Sequence, residues 1–151
     1  MDTHFKEKEG EKSMKQISVF VENQPGSLMR VTSALSEAKI NIRAAASFDT
    51  PEFGILRLVV DQPLEAKESL TSRGFVVRVQ DVIGAELKDE KGNLNQMLKV
   101  LADGNISIGY IYSFVIRENK APVMVFCSDN NEKARAVLRD AGILLVDEEL
   151  K

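Results

Sequence analysis

The residues best placed to do chemistry form one short loop, Asn23-Gln24-Pro25-Gly26-Ser27, which is followed by Leu28. The loop joins a strand-like run to a helix-like run, and a tight turn there brings partially positive backbone N–H groups to the edge of a sheet, where they can receive a carboxylate. Gly26 allows a ligand to approach closely, and the Asn23 amide can donate and accept hydrogen bonds. The same residues also suit an ordinary turn with Ser27 as the helix N-cap, so both interpretations stay open.

Residues for other kinds of chemistry are scarce. The one histidine, His4, lies near the start of the chain, which leaves no Ser/His/Asp or Cys/His arrangement in its body. The single cysteine, Cys127, excludes a CxxC metal pair and is interpreted as a small buried side chain rather than a reactive thiol. No phosphate-binding glycine motif occurs. Arg30 and Arg43 are nominal candidates for acyl-phosphate chemistry, but neither has a second catalytic group nearby, so we expect no enzyme, cofactor or metal.

The composition is that of a globular protein, with 151 residues, 44% of them hydrophobic, and a formal net charge of -3. The 20 basic residues are scattered among 23 acidic ones and indicate no nucleic-acid surface. No apolar run is long enough to span a bilayer, and residues 1–13 contain no signal-peptide core. We therefore expect a cytoplasmic protein without nucleic-acid or membrane partners, and a disordered leader over residues 1–13.

The elements that must position the loop follow the order strand, helix, strand, strand, helix, strand. Their apolar spacing predicts strands at 16–22, 40–48, 54–60 and 75–80, with helices from Ser27 and over 63–72. The strand at 40–48 contains three successive alanines, which favour a helix, but its period-two apolar stripe favours a strand.

The same order begins again at Val82. An offset of 66 residues (92 − 26 = 66) aligns Gly26 with Gly92, and after the hairpin an offset of 68 (142 − 74 = 68) aligns Gly74 with Gly142. Apolar stripes agree at the same offsets, which predicts two copies of one unit, at residues 14–80 and 81–151.

Both helices of a copy need one sheet face to cover their apolar stripes, so each copy is expected to be a ferredoxin-like βαββαβ unit. The predicted fold class is α+β, with the two units side by side. Edge pairing of Ile40 to Phe48 with Ile106 to Phe114 would give one eight-stranded antiparallel sheet with helices on one face.

These residues resemble ACT domains, small amino-acid-sensing regulatory modules, in a tandem pair that covers Met14 to about Val146. The most specific part is VFVENQPGSLMRVTSALSEAKINIRAAASF, which is similar to the regulatory domain of phosphoglycerate dehydrogenase in its N-x-P-G turn and its later I-N-I. The resemblance implies that an amino acid binds between the first loop of one domain and the second strand of its neighbour. The ligand-binding residues it implies are Asn23, Gln24, Pro25, Gly26, Ser27, Leu28, Asn41, Ser107, Ile108, Gly109, Tyr110 and Ile111.

The resemblance further implies a non-enzymatic sensor that regulates a separate enzyme or regulator, and we expect a homodimer. The second copy departs from the pattern, because its turn at 88–93 keeps Gly92 but lacks the proline and the equivalent of Asn23, and Ser107 replaces Asn41. We therefore expect unequal sites, with the first loop as the better one. Asn41 could equally be an ordinary turn residue before the second strand. Tyr110 and Tyr112 are more typical of a hydrophobic core than of a ligand-binding surface. The alternative function is a structural or protein-interaction module with degenerate sites.

Overall fold

The computed structural model describes residues 14–88, 91–114 and 121–146. The chain forms two compact units. The first unit contains Lys15–Gln80 and the segment that starts at Tyr112, and the second contains Asp81–Ile111, the segment that starts at Ala121, and Met14. The leader predicted over residues 1–13 lies outside the described residues.

The first unit has the predicted order of elements. They are β1 (Met14–Glu22), α1 (Ser27–Glu37), β2 (Ile42–Asp49), β3 (Phe53–Val60), α2 (Pro63–Ser72) and the first part of β4 (Val76–Glu86). The hydrogen-bonded order of its strands is β2-β3-β1-β4. β1 and β2 both pair with β3 in antiparallel fashion, so the alanine-rich segment is a strand, as its period-two stripe predicts.

The second unit repeats this order. It contains the rest of β4, then α3 (Asn93–Asp103), β5 (Ile108–Ser113), β6 (Val123–Ser128), α4 (Asn131–Asp140) and β7 (Leu144–Val146); the last two residues of β5 belong to the first unit. Its strand order is β4-β6-β5, with β7 also paired to β4. The register repeats too, because Ile17 faces Leu58 in the first unit while Ile83 faces Phe126 in the second, at the expected offsets (83 − 17 = 66 and 126 − 58 = 68).

The prediction of eight strands is wrong, since the described residues form a sheet of seven. The last strand of the first copy and the first strand of the second are one continuous strand, β4. Only Asp81 separates the two predicted strands, and no glycine or proline is present there to break the chain. The predicted pairing of Ile40–Phe48 with Ile106–Phe114 is also absent from the described strands, where β2 neighbours β3 and β5 neighbours β6.

Each unit has its own hydrophobic core between its helices and one face of its sheet. In the first unit, Val31 and Leu35 of α1 pack with Ala66 and Leu70 of α2 against strand residues such as Ile17. The second unit builds the same core from the equivalent residues, which include Met97, Leu101, Ala134, Leu138 and Ile83. Both helices of each unit therefore cover the same sheet face, as their single apolar stripes require.

The two copies also end their first helices alike. Lys39 and Asn105 have left-handed backbones, with φ of 59° and 58°. The next residue, Ile40 or Ile106, donates its N–H to the carbonyl of Leu35 or Leu101, which closes the helix end and starts the second strand. Within the described residues, no helix is long and apolar enough to cross a membrane.

Candidate functional site

The first loop is a tight turn that ends in a left-handed glycine. The Gln24 N–H donates to the Glu22 carbonyl at 2.9 Å, and the Ser27 N–H donates to the Gln24 carbonyl at 3.1 Å. Gly26 has φ of 85° and ψ of -3°, and the helix starts at Ser27. The N-cap is therefore Gly26, and the prediction of Ser27 as N-cap is wrong. A left-handed residue directly before the helix suits glycine, which has no Cβ to strain that backbone.

At the start of α1, backbone amides that no side chain caps lie beside a cation. No side chain caps this helix, so its first-turn N–H groups are without the side-chain acceptor that many helices supply. The Ser27 hydroxyl is buried and accepts a hydrogen bond from Nη2 of Arg30 at 3.1 Å. The other terminal nitrogen of Arg30 lies 3.9 Å from where a Cβ would stand on Gly26. Amides and guanidinium together form a positive surface suited to a carboxylate.

Asn23 is exposed, but its amide already has a structural partner. Its Nδ2 donates to the Thr50 carbonyl at 2.7 Å, in the turn between β2 and β3. Its Oδ1 lies 3.1 Å from where a Cβ on Gly54 would stand. Asn23 therefore fastens the loop to the β2–β3 turn, and a side chain at Gly54 would disturb that contact.

Asn41 lies just before β2, and its backbone is held by Asp61. The Asn41 N–H donates to Oδ1 of Asp61 at 3.0 Å, and the Asp61 N–H donates back to the Asn41 carbonyl at 3.1 Å. Asn23 contacts Thr50, which follows the opposite end of β2. β2 has 8 residues and spans roughly 27 Å at about 3.4 Å per residue. The first unit therefore does not bring Asn41 and Asn23 together.

The predicted wall from the second copy lies on β5 and the residue before it. Ser107 and Gly109 are exposed, whereas Ile108, Tyr110 and Ile111 are half-buried. The backbone of Ser107 is held by Asp129 just as Asn41 is held by Asp61, with both hydrogen bonds at 3.0 Å. These residues belong to the second unit, while the first loop belongs to the first. That they form opposite walls of one site stays a prediction.

Tyr112, two residues after Tyr110, is buried in the first unit. Its hydroxyl donates to Oε1 of Gln16 at 2.6 Å, and Gln16 is itself fully buried. Ser18 and Gln80 complete this polar cluster, since the Ser18 hydroxyl donates to Oε1 of Gln80 at 2.9 Å. Tyr112 is thus buried, as its apolar stripe predicts, and its hydroxyl is paired with Gln16 on the sheet face opposite the helices.

The glycine before α3 keeps the backbone conformation of Gly26, but no cation lies at the position of Arg30. Gly92 has φ of 87° and ψ of -1°, within two degrees of Gly26 in each angle, and it precedes α3 directly. The residue equivalent to Arg30 is Gln96 (96 − 30 = 66). Asn93, at the position of Ser27, donates its side-chain amide to the Lys88 carbonyl. The second loop therefore lacks the guanidinium that the first one has.

Arg30 is the residue of the candidate site that the sequence predictions missed, since it was considered only for acyl-phosphate chemistry. The signal was its spacing: residues three apart on a helix are neighbours, which places Arg30 beside Ser27. Among the described residues, no group of three His, Cys, Asp or Glu side chains could hold a metal ion. Cys127 is half-buried rather than fully buried. A surface depression of about 430 Å³ on α2 contains none of the predicted site residues; it is lined by Leu64, Lys67, Glu68, Thr71 and Ser72.

Two βαββαβ units with matched glycines before their first helices, matched strand register and matched helix ends define the class of a tandem ferredoxin-like α+β protein. The chain belongs to the ACT domain pair family, whose match extends over residues 12–150. A search of curated proteins found no significant match.

Two solved structures illustrate the likeness. Protein BT0572 from Bacteroides thetaiotaomicron is 32% identical with a TM-score of 0.83, and the alignment covers 89% of this chain and 92% of that one. The regulatory subunit of aspartate kinase from Thermus thermophilus, in its ligand-free form, is 20% identical with a TM-score of 0.65, over 87% of this chain and 93% of that one. The second likeness shows the fold alone.

Proposed function

We propose that this protein is a non-enzymatic amino-acid sensor, in which the first loop binds the ligand and ligand binding regulates a separate protein. The observation that carries the proposal is the start of α1, where uncapped backbone amides, the left-handed Gly26 and the Arg30 guanidinium lie together. Membership of the ACT domain pair family supports a regulatory role. A structure of nearly the same extent is described as a regulatory subunit with a ligand-free form, which supports regulation of a separate protein.

The ligand's carboxylate is the part this loop would recognise. The Leu28 and Met29 amides in the first turn of α1 and the Arg30 guanidinium are hydrogen-bond donors, and a carboxylate can accept from both. Asn23 contributes by holding the loop against Thr50. In this proposal Ser107 to Ile111 form the opposite wall, and Asn41 serves the reciprocal site, as the resemblance implies. The second loop would bind more weakly because Gln96 cannot supply a positive charge.

A thermal-shift screen against the twenty common amino acids tests the proposal. A ligand at 100 times its dissociation constant stabilises the folded state by about 2.7 kcal/mol, which raises the melting temperature by roughly 5–10 °C for a protein of this size. Calorimetric titration of the best ligand then gives its dissociation constant. Absence of a shift with every amino acid would favour the alternative of an interaction module with degenerate sites.

A pair of variants locates the site. We expect Arg30→Gln, which installs the residue of the second copy, to weaken binding about tenfold or more, because a charge-assisted hydrogen bond contributes about 1.5–3 kcal/mol. The matched control is Gln96→Ala at the equivalent position of α3, which should leave the dissociation constant unchanged. Equal effects of the two variants, or none from Arg30→Gln, would contradict a site at the first loop.

A further inference from the structure

Gly109 is the one described glycine that neither the backbone nor the packing of the protein requires. The positive φ that favours glycine occurs at Gly26, Gly74, Gly92 and Gly142. A Cβ would come within 3.3 Å of a neighbouring atom at Gly54, Gly84 and Gly104. Gly109 is not among the residues with positive φ. A Cβ there would lie 3.7 Å from the Cys127 carbonyl oxygen, which is ordinary contact, so a larger residue would fit among the described residues.

Gly109 lies on an open strand edge. It is exposed and belongs to β5, whose one neighbour in the described sheet is β6. Glycine weakens a strand, because it has no side chain to pack and loses more entropy on folding than other residues do. A strand glycine with no internal cause is typical of a place where a ligand or another backbone approaches closely. The position therefore indicates contact with a molecule from outside the strand.

The first copy has an arginine at the same point. Arg43 is the equivalent of Gly109 (109 − 43 = 66), and the pairing of β2 with β3 has an extra residue there. β5 has a similar irregularity, because Ile108 and Ile111 both pack on the core of the second unit, although residues three apart on a regular strand point to opposite faces. Arg43 and Gly109 are thus equivalent bulge residues, and bulges often lie next to functional sites.

The Arg43 side chain lies against the protein at its own bulge. Arg43 is half-buried as a whole, and its Nε atom is buried without a hydrogen-bond partner. The side chain therefore follows the surface and does not extend freely into solvent. Gly109 has no side chain, so β5 has an opening where β2 has an arginine. We call this opening the Gly109 notch.

We propose that the Gly109 notch receives the side chain of the amino acid whose carboxylate binds at the first loop, and that Arg43 closes the equivalent place in the first copy. This inference rests on the proposed function, which assigns Ser107 to Ile111 to the second wall of the ligand site. The arginine that fills the equivalent place sets the scale of the notch. The ligand class is therefore an amino acid with a side chain between leucine and arginine in size, and not glycine, alanine or serine.

The two reciprocal sites then differ on both of their walls. The first loop has Arg30 where the second has Gln96, and β5 has Gly109 where β2 has Arg43. The site of the first loop thus has a cation for the carboxylate and room for the side chain, whereas the reciprocal site has neither. We expect one bound ligand per chain.

A valine at Gly109 tests the notch. The common amino acids are screened by thermal shift against the native protein, and each one that shifts it is titrated by calorimetry into the native protein and into Gly109→Val. We expect these ligands to belong to the stated class, and Gly109→Val to raise their dissociation constants about tenfold or more, because its methyl groups fill the space that the ligand needs. Gly109→Val should fold, since its Cβ has room and valine favours strands.

The matched control is Ala45→Val, at an exposed position of β2, the other edge strand, which should leave each dissociation constant unchanged. A native protein that binds none of the amino acids would contradict the proposed function, and this inference with it. Native binding that Gly109→Val weakens no more than Ala45→Val does would overturn the notch and leave the proposed function standing. Native binding of glycine, alanine or serine alone would overturn the notch in the same way.

Moving both differences into the reciprocal site provides a second test. Arg43→Gly with Gln96→Arg gives that site the opening and the cation of the first. With the amino acid that binds the native protein best, we expect calorimetry to find one ligand per chain in the native protein and two in the double variant. Circular dichroism checks that the variant is folded. Two ligands per native chain, or a folded double variant that still binds one, would overturn the role of Arg43 in closing the reciprocal site.

Discussion

The two copies of the unit share several backbone features among the described residues and differ in their surface side chains. The loops before α1 and α3 superpose in dihedral angles, at Gly26 and Gly92, and the aspartates Asp61 and Asp129 make the same pair of hydrogen bonds in both copies. The loop side chains differ, with a cation beside one glycine only. The copies therefore share the residues that fix the backbone, whereas the side chains that could recognise a ligand differ.

The sheet faces opposite the helices also differ between the copies. Arg57 of the first copy corresponds to Val125 of the second (125 − 57 = 68), and Val125 is fully buried. Ser18 corresponds to Gly84 (84 − 18 = 66), where a Cβ would lie 2.6 Å from Cε of Met14 and 2.7 Å from Cγ2 of Val146. At the first of these positions the second copy therefore has a buried apolar side chain where the first copy has a cation.

The largest predicted effects test whether the two cores are equivalent. Leu35→Ala and Leu101→Ala truncate corresponding residues (101 − 35 = 66) that are 0% and 1% exposed. Each should lower the free energy of unfolding by about 2–5 kcal/mol, from lost burial and the cavity left behind. Urea unfolding followed by circular dichroism measures the change.

The chain supplies matched controls for that pair. Leu28 and Leu94 are also equivalent (94 − 28 = 66), and both are 43% exposed. Leu28→Ala and Leu94→Ala should each cost less than about 1 kcal/mol, because truncation at the surface leaves no buried cavity. If only one of the two core substitutions exceeded its surface control, the cores would not be equivalent.

A smaller effect is expected where the copies differ, at the buried polar cluster. Gln16 corresponds to Val82 (82 − 16 = 66), and both are fully buried. Tyr112→Phe removes the donor that satisfies Oε1 of Gln16, and an unsatisfied buried polar group costs about 1–3 kcal/mol. Gln16→Val should cost a similar amount, because it leaves the tyrosine hydroxyl without this partner.

A double-mutant cycle distinguishes the hydrogen bond from packing. When both partners become apolar, neither buried polar group is left unsatisfied, so the double variant should cost less than the sum of the single variants. The control is Tyr110→Phe, on the half-buried tyrosine two residues earlier. Simple additivity, with no coupling energy between Gln16→Val and Tyr112→Phe, would show that the bond contributes nothing of its own.

The sequence predicted what depends on local pattern and short spacing. The alternation in β1, the stripes of the helices and the two offsets gave the correct elements and the repeat. Local rules did not predict that β4 is continuous, because the predicted boundary at Asp81 rested on counting elements rather than on a residue that breaks strands. Nor could they predict the polar cluster, in which Tyr112 and Gln16 are 96 residues apart in the chain.

The candidate site was predictable to a similar extent. The sequence identified Gly26 because an Asn-Gln-Pro-Gly turn before a helix is a local signal. It did not show that Asn23 binds Thr50, since that contact needs the β2–β3 hairpin to be folded. Assigning the N-cap to Ser27 failed because Gly26 occupies the cap and the serine hydroxyl accepts from Arg30 instead.

The smallest predicted effect tests whether the N-cap residues of the second helices can be exchanged between the copies. The N-caps of α2 and α4 are Gln62 and Asn130, with similar backbones: φ and ψ are -136° and 75° for Gln62 and -152° and 85° for Asn130. The Asn130 side chain accepts the Lys133 N–H at 3.1 Å, whereas Gln62 makes no such bond. Asparagine is a better N-cap than glutamine because its shorter side chain reaches that N–H.

Gln62→Asn should therefore stabilise the first unit by about 0.5–1 kcal/mol, through a new bond to the N–H of Glu65, the equivalent of Lys133. Asn130→Gln should destabilise the second unit by about the same amount. Gln62→Ala is the control and should be nearly neutral, since Gln62 has no capping bond to lose. Urea unfolding measures all three. A Gln62→Asn variant no more stable than Gln62→Ala would mean that the two backbones differ enough at this cap to prevent the exchange.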